Sequence, residues 1–297
     1  MHPYLLEIPL PWGGHFRIAS YGVMIVCGFL TCLYLMRGRA RRMGLNPTAM
    51  FDAAVFALMG GIVGARVFFV LHHWSEYAER PLDIIRLDLG GLTFYGGLIG
   101  GATGLLLTVW TRRLPLLRTL DVGASLVSLG HAFGRVGCFL NGCCFGEVTD
   151  SWTGVRFPRI LNDAGEIIGS IPYRAHMDRG LLTAAAERSL SVHPTQLYEV
   201  CYELAFFFIL SYALTRRRRE GDVAWLYAAL YGCGRFVNEF FRADHARLAG
   251  VGGLTSFQVM SLGLAVAGVV MLIRSRRRPS QPMPEPFEEP AQTPATD

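Results

Sequence analysis

Apolar residues occur in seven long segments that are separated by shorter polar stretches. Each segment holds about 20 residues, and a helix of that length spans the hydrocarbon core of a bilayer. The segments lie at 18–36, 50–71, 90–111, 119–140, 195–215, 222–241 and 255–273. The pattern predicts an all-α integral membrane protein with about seven transmembrane helices.

Clusters of arginine follow alternate segments, at 37–42, 112–118, 216–219 and 274–278. All four clusters can therefore face the same side of the membrane, and by the positive-inside rule that side is the cytoplasm. The sequence thus predicts an N-terminus outside the cytoplasm and a C-terminus inside it.

These spans divide the chain into three parts. Residues 1–17 are predicted to be an extracytoplasmic N-terminal segment, 18–274 a seven-helix transmembrane domain, and 275–297 a disordered cytoplasmic tail rich in Pro and Glu. The longest polar segment, 145–193, falls on the extracytoplasmic side and is predicted to form a small head.

Composition excludes two other classes of protein. Hydrophobic residues make up 52% of the chain and charged residues only 17%, whereas soluble domains carry about 25% charge. The formal net charge is +5, but its arginines are grouped between apolar segments rather than along one basic face. A soluble enzyme and a nucleic-acid-binding protein are both disfavoured.

Glycine recurs every fourth residue in two of the segments. Gly96, Gly100 and Gly104 follow this spacing in the third, and Gly60 and Gly64 follow it in the second. Small residues at this spacing let helix backbones approach closely in a membrane. The pattern predicts a tight contact between helices.

Charged side chains inside the sixth segment point to a functional site. Tyr231, Arg235, Glu239 and Arg242 are spaced four, four and three residues apart, which is one face of one helix. A charge at mid-bilayer costs about 2.5–3.5 kcal/mol and marks a cavity or a partner. Two interpretations remain open: an internally paired Arg–Glu–Arg triad that fixes packing, or a cationic site for an anionic ligand such as a phospholipid.

Two further segments carry polar residues at a comparable depth. The fourth holds His131 and Arg135 one turn apart among glycines and ends near Asn141, and the fifth opens with Glu199 followed by Glu203 on the same face. An arginine among glycines can present its guanidinium and nearby backbone N–H groups to a phosphate. A carboxylate at a helix start, favoured by the helix dipole, is the alternative for Glu199. Arg66 in the second segment is another intramembrane cation.

The seven cysteines do not form a disulfide framework, because the count is odd and four of them lie inside apolar segments. Cys138, Cys143 and Cys144, together with His131, raise the alternative of metal binding or thiol exchange. Their spacing does not match Cys-x-x-Cys and no second pair follows, so the sequence predicts neither a metal nor a cofactor.

Several motifs resemble those of the prolipoprotein diacylglyceryl transferase family. The resemblance covers nearly all of the membrane part. The motifs that carry it are Ser20-Tyr21-Gly22, Gly64-Ala65-Arg66, Tyr95 through Gly100, Gly134-Arg135-Val136-Gly137, His193 through Glu199, and Tyr231 through Arg242.

The resemblance implies an enzyme in the bacterial plasma (inner) membrane. Such an enzyme moves the diacylglyceryl group of phosphatidylglycerol to the thiol of a lipobox cysteine in a prolipoprotein, forming a thioether and releasing glycerol phosphate. This is the first step of lipoprotein maturation, and its partners are phosphatidylglycerol, lipobox peptides and the bilayer. The domain 18–274 becomes the catalytic domain. The resemblance assigns catalysis and phosphate binding to Arg135 and Arg235, and lipid binding also to Glu199, Glu239, Tyr21, Tyr231, Arg242 and Asn141.

The chain departs from the family pattern at three positions. Tyr95 stands where the family usually has His, Cys138 where it has Asn, and Cys143 where it has Glu. The general base is therefore open among Tyr95, His131 and His193, or no protein base is needed because nearby arginines lower the pKa of the substrate thiol. A divergent member with an altered substrate, or a membrane protein that transports or binds an anionic lipid, are the competing functions.

Overall fold

The computed structural model describes residues 4–9, 15–86, 91–161, 165, 170–183, 185–243 and 252–288. Most of these residues are helical, as the sequence predicts. The helices are α1 (Ser20–Arg42), α2 (Pro47–His72), α3 (Trp74–Ala78), α4 (Phe94–Thr111), α5 (Leu116–Asn141), α6 (Ile171–Asp178), α7 (Thr195–Arg216), α8 (Asp222–Asn238) and α9 (Ser256–Arg276). A short 3₁₀ turn at Pro81–Ile85 follows α3, and another at Glu239–Phe241 follows α8.

Five helices of the described part are long and apolar enough to cross a membrane: α1, α2, α4, α7 and α9. They coincide with five of the predicted spans and make the protein a helical membrane protein. Helices α5 and α8 occupy the other two predicted positions, but α5 carries several charged residues and α8 has 17 residues. The count of seven spans therefore belongs to the proposal below.

A β-hairpin precedes the first helix and was not predicted. Strand β1 (Tyr4–Pro9) pairs antiparallel with β2 (His15–Ala19), and the chain passes from β2 directly into α1. The Arg17 guanidinium lies 5.2 Å from the centre of the Tyr4 ring across the pair. Both strands are short and β1 ends at a proline, so the segment shows no extended alternation in the sequence.

The chain forms two compact units. One comprises residues 33–123 and 282–297, and the other residues 1–32 and 124–281. In the first unit, α2 and α4 contact each other through glycine. A Cβ placed on Gly60 or Gly64 would collide with the carbonyl oxygen of Gly100 or Gly96, respectively. The close helix contact predicted from the glycine spacing is confirmed.

Replacing Gly100 with Ala is expected to destabilise the α2–α4 contact. The new methyl group would collide with the Gly60 carbonyl oxygen and lie 2.9 Å from the Gly64 Cα, and overpacking of this kind costs roughly 1–3 kcal/mol. The thermal midpoint of the purified protein in detergent should fall by several degrees. Gly38→Ala is the matched control, because no atom lies within 4 Å of its added Cβ. An unchanged midpoint for Gly100→Ala would contradict the packing.

In the second unit, glycines again set the distances between helices. Gly232 of α8 packs on the backbone of Ala265, and Gly268 of α9 packs on the backbone of Trp225. The first part of α1 approaches α5 at Gly28 and Gly137, where an added Cβ would meet Phe133 and Tyr21 respectively. These contacts hold the polar residues of α5 and α8 at fixed positions.

The 145–193 segment builds a small core of its own. Phe145, Phe157 and Val192 are buried together. Helix α6 adds Tyr173 and His176, which are 0% and 1% exposed. Tyr173 donates a hydrogen bond to the Ala186 carbonyl oxygen at 2.9 Å. Residues 162–164, 166–169 and 184 of the predicted head lie outside the described residues.

Acidification is expected to weaken this head through His176. Burial, with a smaller contribution from Arg179, lowers the pKa of His176. In the unfolded chain the imidazole regains a pKa near 6.5. Below about that pH the unfolded state therefore binds more protons than the folded state, and the folded head loses stability. Amide-exchange protection of 145–193 should therefore drop between about pH 7 and 5.

His176→Gln should flatten that dependence, because glutamine does not titrate in this range. His72→Gln is the matched control, since His72 is exposed near the end of α2. Equal pH dependence in the wild-type protein and in His176→Gln would show that another group controls the head.

Of the predicted tail 275–297, residues 275 and 276 form the end of α9, whereas 279–288 have neither helix nor strand. The backbone N–H of Phe287 donates to the Arg41 carbonyl oxygen at 2.8 Å. Residues 289–297 lie outside the described residues.

Candidate functional site

A buried carboxylate on α7 joins charged groups from α5 and α8. Glu199 is 0% exposed. Its Oε2 lies 3.0 Å from the Arg135 Nε and 3.9 Å from the Arg235 Nη1. The same oxygen accepts a hydrogen bond from the Asn238 side-chain amide at 3.2 Å. One carboxylate therefore positions both arginines that the sequence analysis selected.

A second buried carboxylate, Glu239, holds the other side of Arg235. Its Oε2 lies 2.8 Å from the Arg235 Nη2, and its Oε1 accepts a hydrogen bond from the Thr255 hydroxyl at 2.8 Å. Thr255 is also the N-cap of α9 and forms a capping box with Gln258. The start of α9 thus fixes Glu239, and Glu239 in turn fixes the guanidinium of Arg235.

The polar face of the sixth predicted span is not one continuous helix, so that prediction is wrong at its end. Helix α8 ends at Asn238, Glu239–Phe241 form a 3₁₀ turn, and Arg242 has an extended backbone with φ −85° and ψ 142°. Backbone pairing with the 145–193 segment draws the chain out of the helix, because the Glu147 N–H donates to the Phe241 carbonyl at 2.8 Å. Arg242 is still buried, and its Nε lies 3.9 Å from Glu239 Oε2.

His131 links the α5 arginine to a third carboxylate. Its Nδ1 lies 2.9 Å from the Glu203 Oε1, and its Nε2 lies 3.2 Å from the Arg135 Nε. Because a guanidinium only donates, the Arg135 Nε is the donor in this contact, and the same His131 Nε2 lies 3.4 Å from the Glu199 Oε1. His131 is therefore a member of the charged network.

Both arginines keep hydrogen-bond donors that this network does not use. Only the Nε of Arg135 is engaged, so neither of its Nη atoms has a partner among the residues that the structure describes. Arg235 is 7% exposed, and within the same described part its Nη1 makes no hydrogen bond, although it lies 3.9 Å from Glu199. Unused guanidinium donors in a buried site are suited to phosphate oxygens.

Arginine and glutamate are present in equal numbers in this network. Arg135, Arg235 and Arg242 are balanced by Glu199 and Glu239 together with Glu203, to which the sequence analysis had given no role. The attraction for an anion therefore comes from the direction of the unused donors rather than from net charge.

Of the remaining lipid-binding candidates, Tyr231 contacts this network directly. The Tyr231 ring centre is 5.5 Å from that of His131. Tyr21 of α1 is 42% exposed and packs beside Gly137 of α5. Asn141 is the last residue of α5.

The second histidine considered as a base has other contacts. The His193 Nδ1 lies 3.0 Å from the Tyr198 hydroxyl, and its ring centre is 5.1 Å from that of Phe241. The His193 backbone also pairs with Gly146 and Glu147. The structure thus places His131 in the guanidinium network and His193 in the packing of the 145–193 segment.

Tyr95 belongs to the other compact unit. It lies in the first turn of α4, is 49% exposed, and its ring centre is 5.7 Å from that of Phe94.

Arg66, in the same unit as Tyr95, has a structural role. Its guanidinium donates to the carbonyl oxygens of Asp83, Ile84, Arg86 and Gly91, at 2.6–3.1 Å. The Arg66 guanidinium of α2 therefore holds the segment that follows α3 through hydrogen bonds to its backbone.

Thr255 and Asn238 were not predicted as site residues, and Glu203 was predicted only to share a helix face with Glu199. Glu203 follows Glu199 by one helical turn, and this spacing was a usable signal. Thr255 lies 16 residues after Glu239, and its sequence context indicates only a helix start.

The fold and the site together define a helical membrane protein with a buried guanidinium–carboxylate site suited to an anionic group. A family model described as prolipoprotein diacylglyceryl transferase matches residues 8–274. The chain belongs to the prolipoprotein diacylglyceryl transferase family.

Individual relatives match over nearly the whole chain. A phosphatidylglycerol–prolipoprotein diacylglyceryl transferase of Xylella fastidiosa is 36% identical over 292 residues, covering 92% of this chain and 94% of that protein. Enzymes of the same name from Clostridium tetani and Streptococcus agalactiae are 30% and 33% identical, covering 94% and 89% of this chain and 99% and 94% of their own lengths.

Proposed function

We propose that the protein transfers the diacylglyceryl group of phosphatidylglycerol to the thiol of a lipobox cysteine in a prolipoprotein. Family membership and the names of the relatives support this reaction. The observation that carries it is the pair of arginines on α5 and α8, whose side chains are 15% and 8% exposed, which share Glu199 and keep unused donors.

The proposal places the enzyme in the bacterial plasma (inner) membrane with seven spans. Helices α5 and α8 are the two spans added to the five apolar helices. Arginine in the last turns of α1, α7 and α9 supports a cytoplasmic location for these ends. The N-terminus and the 145–193 head then lie outside, where a secreted precursor is exposed.

In the proposed reaction the substrate thiolate is the nucleophile. Its sulfur forms a bond to the glycerol carbon of the diacylglyceryl group, and the bond between that carbon and the phosphate oxygen breaks. Glycerol phosphate leaves with the electron pair, and the proton of the thiol has passed to a base of the site or to solvent. Negative charge moves onto the phosphate, so the Nη groups of Arg135 and Arg235 stabilise the transition state more than the ground state.

Among the candidate bases, His131 has the best support. It lies in the same network as Arg135, and Glu203 holds its Nδ1. Its Nε2 accepts from the Arg135 Nε, so proton uptake there requires Arg135 to turn towards the phosphate. A thiol titrates near 8.5 and a phenol near 10, so the unused guanidinium donors need to stabilise a thiolate less than they would need to stabilise a phenolate.

Tyr95→Phe is therefore expected to lose less than about tenfold in kcat/KM, well below the roughly 10²-fold that removal of a general base causes. Tyr95→His should not acquire a more acidic pH optimum. Measuring transfer against pH for both variants, beside the wild-type protein, tests this. A loss above a hundredfold in Tyr95→Phe would make the phenol the base.

The reaction itself is tested with the full-length protein in nanodiscs that contain phosphatidylglycerol. Adding a lipobox peptide should release glycerol phosphate and increase the peptide mass by one diacylglyceryl group, through a bond that resists hydroxylamine as a thioether does. A peptide with Ser in place of the lipobox Cys is the control and should remain unmodified.

The same assay separates the competing functions. A divergent member with an altered substrate would modify the peptide only when another phospholipid replaces phosphatidylglycerol. A transporter or binding protein for an anionic lipid would move or retain lipid without peptide-dependent release of glycerol phosphate. Either result would overturn the proposed function.

A further inference from the structure

Three thiols lie together at the end of α5, next to the turn that leads into the 145–193 segment. Their Sγ atoms are all within 4.8 Å of one another. Cys138 is buried in the last turn of the helix, and Cys143 and Cys144 are half-buried in the turn that follows. All three are unbridged. We call Cys138, Cys143 and Cys144 the thiol cluster.

The backbone around the thiol cluster is held in place from within. The Cys138 carbonyl accepts hydrogen bonds from the N–H groups of Gly142 and Cys143, at 2.8 and 3.1 Å. Gly142 and Cys144 have φ of 76° and 59°, in the left-handed region. A cysteine adopts this strained left-handed backbone conformation only where contacts with neighbouring residues hold it there.

Those surroundings include the start of α7. The Gln196 side-chain amide donates to the Cys143 carbonyl at 2.6 Å, and the Thr195 hydroxyl donates to the Cys144 carbonyl at 2.7 Å. Both Thr195 and Gln196 are 0% exposed. The positions of the thiols are therefore set before any ligand arrives.

The spacing of the sulfur atoms suits a shared cation. Three thiolates at about 2.3 Å from one zinc-sized ion lie roughly 3.8–4.0 Å apart, so the observed cluster needs movements of less than about 1 Å to close on an ion. Thiolate ligands select soft ions such as Zn²⁺ and Cu⁺, and Cd²⁺ is a spectroscopic substitute.

We propose that the thiol cluster binds one soft thiophilic cation of this class through three sulfur ligands. Three metal–sulfur bonds form and three thiol protons pass to solvent, so no oxidant or reductant takes part. The fourth position of a tetrahedral ion remains available to water or to an external thiol. This site is independent of the proposed transferase activity, although Cys138 lies one turn from Arg135 on α5.

The test uses Cd²⁺ and the full-length protein in detergent, with neither lipid nor peptide present. The starting variant replaces the four cysteines outside the cluster, Cys27, Cys32, Cys201 and Cys233, with Ala. It should bind one equivalent of Cd²⁺, with an ultraviolet sulfur-to-cadmium absorption band of three-thiolate intensity, and Zn²⁺ should displace the Cd²⁺.

On this background, Cys138→Ala, Cys143→Ala and Cys144→Ala should each weaken Cd²⁺ binding at least ~100-fold and reduce the band. The converse control keeps the four outer cysteines and replaces the cluster, and it should show no band. Absence of the band in the starting variant, or its survival in the converse control, would overturn the proposal.

A second measurement needs no substitution and so does not depend on the folding of variants. Alkylation of the wild-type protein, followed by peptide mass spectrometry, should show that Cd²⁺ protects Cys138, Cys143 and Cys144 and leaves the reactivity of the exposed Cys201 and Cys233 unchanged. Uniform protection, or none, would contradict a cluster-specific site. Because the assay contains no substrate, its result does not depend on whether the protein is a transferase.

Discussion

Replacing Arg135 or Arg235 with Gln is expected to reduce transfer to a lipobox peptide by at least ~10³-fold, since removing even one preorganised donor to a developing anion costs about 10²–10³. Each guanidinium supplies more than one such donor and a full charge. The protein should remain folded in membranes, because Gln preserves part of the hydrogen bonding to the neighbouring carboxylate.

Lysine at either position should rescue activity only weakly. The planar fork lets Arg135 contact Glu199 through Nε while both Nη atoms remain for a ligand, and a single ammonium cannot do both. Arg174→Gln is the matched control, because Arg174 is an exposed residue of α6. Wild-type rates of transfer in both Arg135→Gln and Arg235→Gln would contradict the proposed electrostatic stabilisation of the leaving phosphate.

Glu199→Gln is expected to lower both activity and stability. This change leaves Arg135 and Arg235 without their shared charge partner in a buried site, and removing one member of a buried ion pair typically costs about 3–5 kcal/mol. The repelling guanidinium groups should separate, so transfer should fall by more than ~10²-fold. The thermal midpoint in detergent and kcat/KM for peptide are the two measurements.

Glu203→Gln provides the comparison, because Glu203 is equally buried but contacts His131 rather than the arginines. It should lose much less activity than Glu199→Gln. Equal losses in the two variants would mean that the orientation of His131, which Glu203 contacts, limits transfer as strongly as the position of the arginines.

The sequence predicted where the helices lie because bilayer length and glycine spacing are local properties. It also selected Arg135, Arg235, Glu199 and Glu239, since charged residues in apolar segments need partners and helical spacing shows which of them share a face.

Two features depended on long-range contacts and could not be read locally. The hydrogen bond from Thr255 to Glu239 joins α9 to the 3₁₀ turn after α8. The exit of Arg242 from the helix depends on pairing with the 145–193 segment. No periodicity of the sequence reports either contact.

The carbonyl contacts of Arg66 have a consequence for how the protein is made. Its acceptors lie 17 to 25 residues further along the chain, so they leave the ribosome after α2 has been synthesised. Helix α2 is therefore complete before these four carbonyl acceptors of its arginine exist, and a charge inside a span costs up to about 2.5–3.5 kcal/mol on insertion. It is also the most apolar of the five candidate spans. The apolar residues of α2 offset this cost while the carbonyl acceptors of Arg66 are still being synthesised.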